Sequence, residues 1–173
     1  MKFYLTLIIC LFSCLIKGQS DYSKIDLESH WINLTKLGNK YVIYNPCDAS
    51  NKEIKIDKAK QELFIQWGVE DNTFKILDFN KIDVDNIILK IKYGIFGEDR
   101  DTNIYIKYLD KGKKISQWNF TFISGTSEIN YEFVMTASSN ANKYKIINQP
   151  CKECWPEVEC DTINKKKDNN SKK

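Results

Sequence analysis

Between residues 30 and 149 the chain alternates apolar and polar positions in short runs separated by Gly, Pro, Asn and Asp. The runs are HWINL (30–34), YVIYN (41–45), EIKID (53–57), ELFIQW (62–67) and TFKILDF (73–79), then NIILKIKY (86–93), NIYIKYL (103–109), ISQWNFTF (115–122), INYEFVM (129–135) and KYKIINQ (143–149). Successive side chains of a strand point to opposite faces, so alternation predicts strands with one buried and one wetted face. Ile87, Leu89, Ile91 and Tyr93 share one face, with Lys90 and Lys92 on the other. Trp118, Phe120 and Phe122 oppose Asn119 and Thr121, and Ile129, Tyr131, Phe133 and Met135 oppose Asn130 and Glu132. LDKGKK (109–114), FGEDRDTN (96–103) and SGTS (124–127) are hairpin-like connections. No segment carries a sustained helical period, apart from a short helical turn expected at 21–29. The prediction is an all-β fold, an antiparallel up-and-down meander. One open sheet of this size would expose two long edges; closure into a barrel or folding into two packed sheets removes them, and a barrel of about 8–10 strands is the expected solution.

A tryptophan on the first strand, in Glu28-Ser29-His30-Trp31, follows the short helical turn and precedes the meander. This arrangement resembles the lipocalin-like, or calycin, group of small secreted barrels, over residues 25–150. In that group a Gly-X-Trp motif opens the first strand and its tryptophan closes the barrel floor. Ser29 stands in place of the glycine here. The resemblance implies an interior cavity able to hold an apolar ligand.

The N-terminus bears on where the barrel works. MKFYLTLIICLFSCLIKGQS has Lys2 before an apolar run at 3–16, then Lys17 and Gly18. This is the layout of a secretory signal peptide with cleavage expected after Gly18, and the run is short for a membrane span. Leu11-Phe12-Ser13-Cys14 also resembles a bacterial lipobox, in which lipidated Cys14 would tether the protein to a membrane, although Leu15 and Ile16 continue the apolar run. Either route exports the chain, to a secreted or periplasmic location or to a membrane-anchored one. The expected organisation is a signal peptide at 1–18, one barrel domain at 19–163 and a disordered lysine-rich tail at 164–173.

Charge narrows the partners. The whole chain is +3, but Lys2 and Lys17 leave with the signal, and the tail NKKKDNNSKK holds five lysines against one aspartate. The body between them is therefore about −3. Arg100 is the single arginine of the sequence. A nucleic-acid surface favours a basic footprint and arginine forks, so nucleic acid is not an expected partner.

The mature chain would keep Cys47, Cys151, Cys154 and Cys160. An even count in an exported chain reads as two disulfides that staple the C-terminal segment. Three pairings exist, and Cys154–Cys160 with Cys47–Cys151 is the expected one. A zinc site would need a second cysteine pair of similar spacing, and a redox Cys-X-X-Cys would need a helix start, so neither metal nor redox chemistry is expected.

Candidate chemistry is sparse. His30 is framed by no recognisable catalytic motif, so a partly buried histidine beside Trp31 at a barrel end is expected rather than a general base. Glu98-Asp99-Arg100-Asp101 and Asp83-Val84-Asp85-Asn86 read as solvated hairpin tips rather than calcium loops. Phosphate-loop and hydrolase motifs are absent, so no cofactor and no enzyme activity is expected. Three sequons, at Asn33, Asn119 and Asn169, matter only in a eukaryotic host. Trp31, Trp67, Tyr105, Trp118 and Tyr131 lie on predicted strands and are the candidate ligand-lining set, with core filling as the competing role. Trp155, between the cysteines, is a candidate anchor for a protein partner. The expected function is an exported, non-enzymatic barrel that binds a small apolar or amphipathic ligand inside. The alternative is an extracytoplasmic protein-binding module, of enzyme-inhibitor or immunity type, acting through loops and the Trp155 segment.

Overall fold

The computed structural model describes residues 26–95, 98–124 and 126–154. The strands are β1 (His30–Asn33), β2 (Thr35–Leu37), β3 (Lys40–Asn45), β4 (Glu53–Asp57), β5 (Glu62–Gln66), β6 (Asp71–Lys81), β7 (Asn86–Ile95), β8 (Glu98–Asp110), β9 (Ile115–Ser124), β10 (Ser127–Ala137) and β11 (Ile146–Asn148). Eight of them form a closed antiparallel barrel in the order β1-β10-β9-β8-β7-β6-β5-β4. Strands β4 to β10 follow one another as a meander, and β1 closes the ring. It pairs with β10 on one side (Trp31 opposite Ala137) and β4 on the other (Trp31 opposite Ile54). Closure leaves the barrel no free edge.

The inner face follows the alternation. Ile54 and Ile56 on β4, Leu63 and Ile65 on β5, Leu89 and Ile91 on β7, Ile104 and Ile106 on β8 and Trp118 and Phe120 on β9 are all buried. The outer face is charged. Lys90 Nζ lies 2.9 Å from Asp101 and Lys92 Nζ 2.5 Å from Asp99. That is the inverse of a membrane-spanning barrel, which turns its apolar residues outward.

The same two ion pairs correct the expected hairpin tip at 98–101. These residues belong to β8, which pairs with β7 from Ile95 opposite Glu98 onward. Carboxylates alternating on one strand and lysines on the next compensate each other across the ladder, so a polar sequence extends the strand instead of ending it. At Asp83–Asn86 the hairpin tip is present, with Asp83 Oδ1 accepting from the backbone N–H groups of Asp85 and Asn86.

Two expected barrel strands behave differently. YVIYN becomes β3, and KYKIINQ shrinks to the three residues of β11 after a 3-10 turn at Ser138–Lys143. With β2 these form a separate sheet in the order β11-β3-β2, in which β11 runs parallel to β3. This sheet lies over the outside of the barrel at β1 and β10. Leu34, Ile43 and Ile115 form a second buried cluster there, packed by Ile32, Tyr41, Val134 and Tyr144. Of the helical turn expected at 21–29, residues 26–28 have no regular structure and 21–25 lie outside the described residues.

Cys47 is bonded to Cys154, with a Cα–Cα distance of 6.3 Å. This corrects the expected Cys47–Cys151 and Cys154–Cys160 pairs. The parallel β3 and β11 leave the small sheet side by side, and Gln149 N–H donates to the Asn45 carbonyl. A 3-10 turn at Cys151–Glu153 then folds the chain back and carries Cys154, not Cys151, to Cys47. Cys151 is also disulfide-bonded, and Cys160 lies outside the described residues.

Candidate ligand pocket at the barrel mouth

The two ends of the barrel differ. At one end Trp31, fully buried, sits edge-on to Trp118 at 5.7 Å between ring centroids and 6.1 Å from Tyr108. Its indole N–H donates to the Glu28 carbonyl at 2.8 Å, which draws residues 26–29 across the opening. Tyr108 Oη donates to the Asp26 carbonyl at 3.2 Å, and the Lys114 ammonium pairs with the Glu28 carboxylate. Trp118 satisfies its own N–H on Ser116 Oγ at 2.8 Å. Burial, with the charges of Asp26 and Glu28 added, pushes the Tyr108 phenol up to about 12. This end is a packed floor.

Outside the floor, residues 26–30 and 55–58 border a shallow depression of about 740 Å³. Its rim includes Asp26, Glu28, Lys55 and Asp57, and among the described residues no Trp, Tyr or Phe lines it. His30 Nε2 lies 3.0 Å from Glu53 Oε2, and Lys55 Nζ is 3.2 Å from the same oxygen. Partial burial would raise the Glu53 carboxyl, but the hydrogen bonds and charges of His30 and Lys55 outweigh it and hold the group below its ordinary value. The fold thus brings a carboxylate from β4 to His30. Among the described residues, however, Glu53 is the side chain that His30 bonds, and no nucleophile joins them. The pair is a hydrogen-bonded clasp between β1 and β4.

The other end is open and aromatic. A cavity of about 450 Å³ is lined by Trp67, Phe74, Tyr93, Phe122, Ile129 and Tyr131, with Lys52, Glu70 and Asn72 among its polar positions. Trp67 is the hub. Its ring lies 5.1 Å from Tyr131, 5.6 Å from Phe133, 5.7 Å from Phe120 and 6.1 Å from Phe122. Such tilted and edge-on contacts suit the ring quadrupoles. The turn between β5 and β6 fixes the indole. Trp67 N–H donates to the Glu70 carbonyl at 2.8 Å, and Nε1–H donates to Asn72 Oδ1 at 2.8 Å. Gly68 sits at φ 120° in that turn, a conformation that side-chain-bearing residues rarely adopt. Across the mouth, Tyr93 Oη accepts from the Ile123 N–H at 3.0 Å and ties β7 to β9.

The sequence-derived lining set divides. Trp67 and Tyr131 stand together in the cavity wall. Trp31 and Trp118 are 0% exposed and fill the floor. Tyr105 is corrected outright. It is 50% exposed on the outer wall, because Ile104 and Ile106 take the inward positions on either side of it. Trp155 lies outside the described residues. Phe74, Tyr93 and Phe122 were missed as lining residues, although Tyr93 and Phe122 share the inward parity of their strands and end them at the mouth. Lys52, in the loop before β4, gave no sequence signal.

Comparison of the chain with protein-family models, with curated proteins and with solved structures finds no match.

Proposed function

We propose that this chain is an exported, non-enzymatic binding protein that holds a small apolar or amphipathic ligand in the mouth of its barrel. The reading rests on the 450 Å³ aromatic cavity around Trp67. Ligand sites of this kind are concave, mostly apolar and carry a few fixed polar groups. Below the mouth the interior is filled by Trp118, Phe120, Ile65 and Ile91, so the ligand sits at the rim rather than along the barrel axis. The disulfide Cys47–Cys154 is compatible with an oxidising compartment and with export. The lipocalin-like resemblance is part of the same proposal.

Native mass spectrometry of the protein purified from its own host tests the reading. The expected result is a small-molecule adduct that Trp67→Ala weakens at least about tenfold and Tyr105→Ala leaves unchanged. An adduct retained by a folded Trp67→Ala variant places the ligand elsewhere and overturns the proposal.

A second reading, an extracytoplasmic protein-binding module, is favoured by the apolar rim, where Val69 is 83% exposed and Ile123, Ile129 and Tyr131 are also exposed. Under it, Val69→Asp and Ile129→Asp abolish capture of a protein partner while Trp67→Ala has little effect.

A further inference from the structure

The mouth carries a feature that the apolar walls do not explain. Lys52 lines the cavity, half-buried, with its ammonium 4.7 Å from the centre of the Phe133 ring. Among the described residues no ion pair involves Lys52. Its backbone is held firmly. Asn51 Oδ1 accepts from the Lys52 N–H at 2.8 Å, Asn51 Nδ2 donates to the Asn33 carbonyl at 3.1 Å, and the Lys52 carbonyl accepts from the Asn33 N–H at 3.0 Å. The loop thus fastens Lys52 to the end of β1, on the wall of the mouth. Among the described residues of the lining the one carboxylate, Glu70, is exposed in the β5–β6 turn.

Size is restricted as well. Immediately beneath the cavity, Phe120 and Phe133 are 1% and 6% exposed, and the core continues unbroken to Trp31. A long acyl chain has no interior channel to enter. A flat ring system fits between the aromatic walls.

We propose that the ligand is a compact, ring-bearing anion, such as an aromatic carboxylate or sulfonate. Its ring packs against Trp67 and Phe122, and its charge is received by the half-buried Lys52 ammonium. This inference rests on the mouth-pocket reading above and adds the ligand's charge and size to it. A cation held against an aromatic ring is partly desolvated already, so an incoming anion meets it at lower cost than a fully hydrated surface lysine.

The test uses the mature chain and three naphthalene probes that share one ring: 1-naphthoate, 1-naphthalenemethanol and 1-naphthylmethylamine. Calorimetry, or quenching of tryptophan fluorescence, measures each affinity, with palmitate as the long-chain control. The expected order is naphthoate, then the alcohol, then the amine, with palmitate weakest. Lys52→Gln lowers naphthoate affinity about fivefold and leaves the alcohol unchanged, while Lys52→Glu reverses the order of naphthoate and amine. If all three rings bind equally, or Lys52→Glu leaves the order intact, the charge inference is overturned and the mouth pocket stands. If palmitate binds best, the size inference is overturned. If no ring binds, both this inference and the mouth pocket fall.

Discussion

The Cys47–Cys154 bond links residues 107 apart and fastens the C-terminal segment to the chain after β3. In the chain-entropy account, a cross-link over about 107 residues removes unfolded-state freedom worth about 4–5 kcal/mol. A Cys47→Ser/Cys154→Ser double variant loses that constraint while keeping the β11–β3 pairing and the small buried cluster beside it. At a slope of about 2 kcal/mol per molar urea, the midpoint falls by about 2 M. The pairing is tested separately by thiol alkylation and intact mass. Cys154→Ser leaves Cys47 open to alkylation in the unfolded chain, whereas Cys151→Ser leaves the Cys47 sulfur protected. The reasoning fails if Cys151→Ser is the variant that frees Cys47. It fails equally if the double variant, shown to lack the bond, shifts the midpoint by less than about 0.5 M.

Two further outcomes concern the floor and the clasp beside it. The Tyr108 phenol is raised to about 12, so its contribution is fully present below the unfolded tyrosine value near 10 and is lost as pH rises through about 12. In the 295 nm difference between wild type and Tyr108→Phe, the missing phenol is the last to ionise, and a difference centred near 10 contradicts the burial described. Glu53 is held below its ordinary value by His30 and Lys55 despite burial, so its contribution is present above about pH 4.5 and is lost as pH falls through the lower folded value. Urea midpoints of wild type and Glu53→Gln therefore differ most above about pH 5 and converge towards pH 3, and a constant gap across that range removes the role of the clasp.

Much of this molecule can be read from alternation alone. EIKID is β4 residue for residue, and the runs at 86–93, 115–122 and 129–135 lie within β7, β9 and β10. A period of two specifies which side chains face inward, and a meander with short turns leaves few ways to pair its strands. Tyr105 belongs to the same logic, because Ile104 and Ile106 flank it and parity alone sends it outward. Its aromatic character suggested a wall residue, whereas its position in the alternation decided otherwise.

Other features were beyond any local pattern. Parity says that Trp31, Trp67 and Trp118 all face inward, but not at what height in the barrel. Height follows from the register of eight strands together, which stacks Trp31 and Trp118 into the floor and leaves Trp67 at the mouth. Strand β3 and the run at 143–149 carry the same alternation as barrel strands, yet pair with each other outside, because β1 reaches β4 directly and completes the ring without them. The cysteine pairing turned on one 3-10 turn, and the place of Lys52 on a loop fastened to a strand 18 residues earlier. Alternation is a property of neighbours along the chain, so the chain by itself determined inside and outside. Depth, closure and the company each side chain keeps are properties of residues far apart in sequence, and these only the assembled barrel decided.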